Sequence, residues 1–403
     1  MTSTVYIAKN VYGGDGLGRL GDGRVVFVPG AWEGEQVKAE IFEEKPRFVR
    51  ARLVEVVEPS PERVEPEATV VPGMVYAGLS AAGEKAAKDR QLAEFFERAR
   101  IPVPSSATVE GGPQLAYRNK AVYHFARQRG KWALGYRAEP GHEIVDVESD
   151  PLVVPAIGAA LPEIRRGVMR LLTQGSEAVR KSVERQGNVT VRWTRKSGVK
   201  WWVGDAPADL VLKETTLGID FEVPADGFYQ VNPAVSELLA QAVVDEYRRG
   251  ANAAPELMDL YCGVGVFGIL CRPPKLVGVE SGRQAVAFAK RNAAIHKVQA
   301  DFFADQVGRA VRRLKAGERT TVIVDPPRGG LEHGVVKWLA HSRAPRVIYV
   351  SCDPATLIRD LKGLAGAYSV ASVRRFEMFP RTARVETLVV LERHPSLTAA
   401  SNQ

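Results

Sequence analysis

From about Pro224 onward the chain alternates short β-rich apolar runs with helical stretches, and this alternation restricts its carboxy-terminal part to an open, doubly wound α/β sheet. Residues 256–261, 276–280, 301–305, 321–325, 347–351, 370–376 and 386–392 read as strands. Only a short connection joins the last two, so 386–392 is expected to insert antiparallel. Ligands of such sheets bind outside the carboxyl ends of the parallel strands, which directs attention to the residues there.

The first strand runs into Asp259-Leu-Tyr-Cys-Gly-Val-Gly-Val-Phe267, where Gly263 and Gly265 let backbone pass close to a ligand. The pair lacks the third glycine of the dinucleotide fingerprint and is weak as a motif by itself. The second strand ends at Glu280, about twenty residues on, where an acid can accept from ribose hydroxyls. Together these features point to a nucleoside cofactor, with Cys262 packed under the loop. The fourth strand ends in Asp325-Pro-Pro-Arg328, a rigid acidic rim poor in backbone donors.

The fifth strand ends in Val347-Ile-Tyr-Val-Ser-Cys352-Asp-Pro354. Asp353 suits an N-cap and Pro354 the first position of the helix that follows, so Cys352 lies beside the positive end of a helix dipole, which favours thiolate. Taken alone, the placement also fits a buried structural thiol. The antiparallel strand begins at Arg384-Val-Glu386, at the edge where its neighbours end. Topology thus converges Gly263, Asp325, Cys352 and Glu386 on one crevice, and a thiol, a carboxylate and a cofactor loop together suggest covalent catalysis on an unsaturated ring.

Upstream, residues 4–8, 18–20, 24–28, 36–43 and 48–57 read as short strands of a small, partly open barrel, a shape that binds oligonucleotides or serves as a spacer. Gly13-Gly-Asp-Gly-Leu-Gly-Arg19 is a turn rather than a phosphate loop, because a strand and not a helix follows it. Pro59-Ser-Pro61 reads as a linker. Residues 80–100 look helical. Tyr117–Phe125 and Lys131–Arg137 pair around Arg129-Gly130, mixing basic and aromatic residues as RNA-binding surfaces do, or as an ordinary solvated hairpin does. A second hairpin joins Val189–Trp193 to Val199–Val203, with at least one of Trp201 and Trp202 in the core.

The net charge of +8 permits a polyanionic partner. Residues 1–60 hold eight Lys/Arg against nine Asp/Glu, whereas residues 84–137 hold eleven against five, so the middle of the chain is the better candidate for that contact. Three cysteines exclude a disulfide framework, and the chain has neither a long apolar run nor a secretory leader pattern. A cytoplasmic protein without a membrane partner is expected.

These motifs resemble those of the S-adenosylmethionine-dependent RNA uracil-5 methyltransferases that carry an amino-terminal TRAM barrel. The resemblance spans nearly the whole chain. It rests on Gly13–Arg19, Tyr117-Arg-Asn-Lys120, Leu134-Gly-Tyr-Arg137, Ile144-Val-Asp-Val147, Phe228-Tyr-Gln-Val-Asn232, Asp259–Gly265, Asp325–Arg328, Ser351–Pro354 and Val385-Glu386. It implies an OB-like TRAM barrel (1–60), a small central α+β RNA-binding domain (61–223, with helix 80–100 packed on the last domain) and a Rossmann-like methyltransferase domain (224–403). It implies further that Cys352 adds to carbon 6 of a uracil and that Glu386 removes the carbon-5 proton. Gln230, Tyr261, Gly263, Gly265, Glu280, Asp325 and more weakly Asp305 would contact S-adenosylmethionine or the base. The RNA would be ribosomal (23S) rather than transfer RNA, with the enzyme a monomer.

Two departures stand out. Many relatives bind an iron–sulfur cluster through four cysteines, whose places here hold Val71, Ala77, Ser80 and Asp150, so no metal or cluster is expected. Val266 replaces an Asn common in the glycine loop, and Arg384 a His common before Val-Glu. The alternatives are a transfer-RNA uridine-5 enzyme, an RNA cytosine-5 methyltransferase using the same thiol addition, and a non-catalytic RNA-binding factor.

Overall fold

The computed structural model describes residues 2–395 except 139, 140, 142, 252 and 253. The chain forms two compact units: residues 1–94, 113–191 and 379–384 in one, and residues 95–112, 192–378 and 385–403 in the other. These limits depart from boundaries at 60 and 223. The barrel and most of the middle region share one unit, and 95–112 goes with the methyltransferase sheet because a strand within it pairs there.

In the first unit, β1 (Thr2–Asn10), β2 (Gly16–Arg19), β3 (Val25–Val28), β4 (Gln36–Glu44) and β5 (Phe48–Glu58) form a barrel in the order β1-β2-β3-β5-β4. It is closed rather than partly open. β3 pairs parallel with β5 and β1 antiparallel with β4, which leaves no edge unpaired. Val5, Ile7, Val26, Val28, Val37, Ala39, Val49 and Ala51 alternate inward to fill it. The glycine-rich string is a turn only in its first half. Gly16 and Gly18 lie in β2, where a Cβ would fall 2.6 Å from the Ala31 carbonyl oxygen or 2.4 Å from Val5 Cγ1.

Past the barrel the chain is no loose linker. Ser60 is buried and its N–H donates to Glu35 Oε1 (3.2 Å). Glu35, itself 0% exposed, also accepts from the Trp32 N–H (2.8 Å) and from the Arg63 guanidinium (2.8 Å). Val71, Met74, Tyr76 and Leu79 are buried, the last two against Trp32. Ser80 accepts from the Gly83 N–H (2.9 Å) at the start of α1 (Ala81–Ala99). β6 (Ser106–Val109) belongs to the second unit. Back in the first, β7 (Lys120–Gln128), β8 (Lys131–Arg137) and β9 (Ile144–Asp146) form an antiparallel meander, followed by α2 (Pro155–Gln174) and α3 (Glu177–Gln186). Asp150 accepts from the hydroxyls of Tyr123 (2.9 Å) and Tyr136 (2.6 Å) and from the Leu152 N–H (3.0 Å). Among the described residues no group of His, Cys, Asp and Glu is arranged to hold a metal, and no helix is long and apolar enough to cross a membrane.

β10 (Asn188–Thr194) leads into the second unit, which continues through β11 (Gly198–Val203), β12 (Val211–Thr216), β13 (Ile219–Pro224) and α4 (Pro233–Ala251). Trp202 packs on Leu212 and Ala225, while Trp201 is half-buried. Then come β14 (Glu256–Leu260), α5 (Val266–Cys271), β15 (Lys275–Glu280), α6 (Arg283–Ile295), β16 (Ala300–Ala304), α7 (Val307–Ala310), β17 (Thr320–Val324), α8 (His333–His341), β18 (Arg346–Ser351), α9 (Pro354–Leu364), β19 (Tyr368–Phe376) and β20 (Glu386–Arg393). The sheet is eight-stranded, in the order β16-β15-β14-β17-β18-β20-β19-β6. β20 is antiparallel to both neighbours, as the short connection requires. β6 adds the far edge, parallel to β19.

The Glu35–Arg63 pair generates a first prediction. Glu35→Ala leaves a cation and buried N–H groups without their acceptor. Urea unfolding should show a loss of about 3 kcal/mol, the range for breaking a buried ion pair; a loss under about 1 kcal/mol would contradict the anchoring role assigned to Glu35.

Candidate active site

The site is built from strand ends. Leu260 stands level with Val279 and Val324, and Val324 with Tyr349, so the parallel strands terminate together and deliver Tyr261, Glu280 and Asp325 to one edge. β18 ends at Ser351, whose partner on β20 is Thr387. One step beyond this last rung come Cys352 and Glu386. Cys352 is half-buried and Glu386 is 2% exposed. Asp353 caps α9, accepting from the Thr356 N–H (2.9 Å), and Pro354 occupies the first turn, so the chain leaves Cys352 directly into a helix start.

Between β14 and α5 the backbone turns through left-handed conformations at Tyr261 (φ +64°), Gly263 (φ +54°) and Gly265 (φ +86°). A Cβ on Gly263 would meet open space, whereas on Gly265 it would sit 3.0 Å from Ile269 and 3.2 Å from Phe302. Gly263 therefore faces open space and Gly265 faces the core. Asp259, buried below, accepts from the Gly268 N–H (3.0 Å) and pins α5 to the strand end. Cys262 is buried, with a Cβ on Gly278 meeting its Sγ at 3.1 Å. Glu280 accepts from Gly263 N–H (3.3 Å) through one oxygen and from Gly282 N–H (2.7 Å) through the other. The Asp305 N–H donates to the Glu280 carbonyl (3.0 Å), but the Asp305 carboxylate is engaged by Arg309 and Arg313, and the Arg309 hydrogen bond holds it below the usual carboxylate range.

A cleft opens here, with Gln230, Tyr261, Gly263 and Asp325 on its walls. Phe228, Tyr229, Val266 and Phe267 add apolar surface, and the buried Tyr261 hydroxyl has no hydrogen-bond partner within the protein. Apolar walls, an open glycine turn and a carboxylate fixed beside it are the features a nucleoside sulfonium requires, so the residues fit S-adenosylmethionine. Of the expected contacts, Glu280 adjoins the cleft through Gly263, Gly265 supports it from below, and Asp305 does not line it.

Sequence reasoning missed Asn292. This residue of α6 is fully buried, donating to the carbonyls of Val264 (3.1 Å) and Glu222 (3.0 Å) and accepting from the Glu222 N–H (2.9 Å). It buckles the glycine loop to β13. Its only sequence signal is a polar residue on the apolar face of an amphipathic helix.

The electrostatics are dominated by buried acids. Burial, with Glu280 adding repulsion, pushes Asp259 up to about 7. Burial and the Asp259 charge push Asp325 up to about 7. Burial, reinforced by Asp325, carries Glu386 well above the carboxylate range.

The profile of the tRNA (uracil-5-)-methyltransferase family matches residues 177–394, and that of the TRAM domain residues 2–54. An uncharacterized RNA methyltransferase of Gloeobacter violaceus is 31% identical, covering 97% of this chain and 96% of its own. The 23S rRNA (uracil(1939)-C(5))-methyltransferase RlmD of Chromohalobacter salexigens is 29% identical over 96% of this chain and 88% of its own. Among solved structures, the Pyrococcus abyssi tRNA (uracil-54, C5)-methyltransferase in complex with S-adenosyl-L-homocysteine shares the fold, with a TM-score of 0.71 over 96% of this chain and 100% of its own at 22% identity. The chain belongs to the tRNA (uracil-5-)-methyltransferase family, S-adenosylmethionine-dependent enzymes that methylate RNA, and it carries a TRAM domain at its amino terminus.

The raised acids predict a pH dependence. A carboxyl that holds its proton more tightly folded than unfolded costs stability as the pH rises from the unfolded value, about 4, through the folded one. Asp325→Asn removes that cost. It should unfold in urea like the wild type near pH 4 and be more stable near pH 8, by on the order of a few kcal/mol. A variant less stable than wild type at the higher pH would refute the assignment.

Proposed function

We propose that the protein methylates carbon 5 of a specific uridine in RNA through a covalent adduct between Cys352 and the uracil ring, and that the RNA is 23S rRNA. What supports the mechanism is the register: the Ser351–Thr387 rung brings a helix-start cysteine and a buried carboxyl to one sheet edge, next to the cleft that fits S-adenosylmethionine. The 23S assignment draws on the RlmD relative; the transfer-RNA reading has the Pyrococcus fold neighbour on its side.

In the proposed reaction Cys352 Sγ, as thiolate, forms a bond to carbon 6, and the electron pair of the 5,6 double bond moves onto carbon 5 and the carbon-4 oxygen. S-adenosylmethionine, when bound, supplies an electrophilic methyl on a sulfonium sulfur. Carbon 5 takes that methyl as the bond to sulfur breaks. Glu386 then accepts the proton of carbon 5, the double bond re-forms, and the thiolate leaves carbon 6. A carboxyl lifted above its ordinary range is a stronger base once ionised. Gln230, Tyr261, Gly263 and Glu280 bind the cofactor, with Gly265 supporting the turn. Asp325 lies between the cleft and Glu386 in the electrostatic chain and binds the cofactor or the base; Asp305 steadies Glu280 through its backbone.

The RNA lies along the β7–β8 hairpin and the barrel, with the target base turned out of its stack. Arg127, Arg129, Lys131 and Arg137 are exposed there; Lys131 and Arg137 share the face of the paired Ala126 and Ala133, while Arg127 lies on the face of its partner Trp132. As proposed, the protein works as a monomer in the cytoplasm.

Cys352→Ala should abolish methyl transfer to uridine-containing RNA, while Glu386→Gln should accumulate a denaturant-stable protein–RNA adduct. Transfer to cytidine alone, or full activity of Cys352→Ala, would overturn the mechanism. Mapping 5-methyluridine in a deletion strain decides the substrate: loss from 23S rRNA is expected, and loss from transfer RNA alone would favour the second reading. Converting Lys131 and Arg137 together to Glu should weaken RNA binding and reduce the slope of log affinity against log salt by roughly two; an unchanged slope in filter binding would move the interface elsewhere.

A further inference from the structure

The cleft wall carrying Phe228, Tyr229 and Gln230 lies between β13 and α4 and belongs to neither. Residues 225–232 have no strand ladder of their own to hold them. Phe228 is nonetheless presented with 70% of its surface exposed, and Gln230 faces the cleft. Something else must fix this wall, because a loop free to sample conformations would present such side chains only part of the time.

The fixing groups are buried and polar. Arg192, on β10 and 1% exposed, donates from Nη1 to the carbonyls of Gly227 (2.8 Å) and Ala225 (3.2 Å) and from Nη2 to Glu214 Oε1 (3.0 Å). Glu214, on β12, is 6% exposed, and burial raises its pKa against the opposing pull of Arg192. Arg192 Nε is buried with no acceptor, so the guanidinium is placed for the loop carbonyls and the carboxylate rather than for its own full satisfaction. Gly227 is pressed so closely into the turn that a Cβ would fall 2.7 Å from Pro224 Cγ, and its N–H donates to the Pro224 carbonyl (2.9 Å). Further along, the Tyr229 hydroxyl bonds the Thr216 hydroxyl at the end of β12. Asn232 caps α4 and donates to the Met378 carbonyl (3.2 Å), just past β19.

We propose that Arg192 is a positioning residue for cofactor binding: its buried fork, paired with Glu214, locks the Ala225–Gly227 carbonyls and so sets Gln230 and Phe228 in the cleft wall. This rests on the reading that Gln230 contacts S-adenosylmethionine. A buried ion pair adds little net stability over an apolar pair of the same size, whereas it fixes direction through its hydrogen bonds. A planar guanidinium can reach two carbonyls and a carboxylate at once. An ammonium on a lysine stem keeps the charge and cannot span them.

The test is calorimetric titration of S-adenosylhomocysteine into wild type, Arg192→Lys, Glu214→Gln and Gln230→Ala, together with amide hydrogen exchange over residues 225–231. Arg192→Lys is expected to fold, to lose exchange protection in this segment, and to bind the ligand about ten-fold more weakly, the scale of losing charge-assisted hydrogen bonds. Glu214→Gln, isosteric and milder, should loosen the same amides to a smaller degree, and it carries the test should Arg192→Lys fail to fold. Unchanged exchange in Glu214→Gln, or wild-type affinity in Arg192→Lys beside a weakened Gln230→Ala, overturns the positioning role. Wild-type affinity in Gln230→Ala overturns instead the assignment of Gln230 on which the proposal rests.

Discussion

The candidate chemistry depends on one constraint of backbone direction: β20 runs against β18. Along that ladder Arg346 faces Glu392 at one end and Ser351 faces Thr387 at the other. A parallel β20 would begin at the opposite edge and carry Glu386 away from Cys352 by the length of the strand, about 20 Å for six residues. The far end of the ladder is locked by charge. Arg346 bonds Glu392 (3.1 Å) and lies 3.4 Å from the buried Glu246, which also binds Arg374 of β19 (2.6 Å). A one-residue slip would exchange the faces of every side chain on β20 and break this cluster as well. Register at one edge of the sheet is thereby guaranteed from the other.

The same edge concentrates acids that water would ionise easily. Asp259 lies near the end of β14, Asp325 directly follows its neighbour β17, and Glu386 begins β20 on the far side of β18; burial opposes the charge of each. Glu280 repels Asp259, Asp259 repels Asp325 and Asp325 repels Glu386, so each charge makes the next acid harder to ionise. The arrangement costs folding energy, and natural proteins carry such costs where a site needs them.

Much of this was legible in the sequence because it is written locally. Strand and helix periods in 256–393, the Asp353-Pro354 helix start and the glycine turn after β14 are each set by neighbouring residues. What could not be read is set by partners distant in the chain. β6 is four residues between proline- and glycine-rich flanks, and only its pairing with β19 makes it a strand. Gly16 and Gly18 look like turn residues until Ala31 and Val5 close on them. Pro59-Ser-Pro61 has a linker's composition, and Glu35 converts it into part of the barrel's support. Asp305 ends its strand as a cofactor acid might, but Arg309 and Arg313, one turn and two turns on, claim its carboxylate. Arg192 and Asn292 carry no motif at all, since a buried polar residue reveals itself only through what surrounds it.

Positions 71, 80 and 150, at which the resemblance led cluster cysteines to be looked for, show the same dependence on partners. Asp150 would be an expensive anion to bury alone, yet tyrosine hydroxyls and a backbone N–H satisfy it. Ser80 spends its oxygen on the first turn of α1, and Val71 is 2% exposed in apolar surroundings. Each residue is matched to its own neighbours rather than to a common centre. A thiol placed at 150 would leave the Tyr123 and Tyr136 hydroxyls with a poor acceptor and would find no second thiol at Val71 or Ser80.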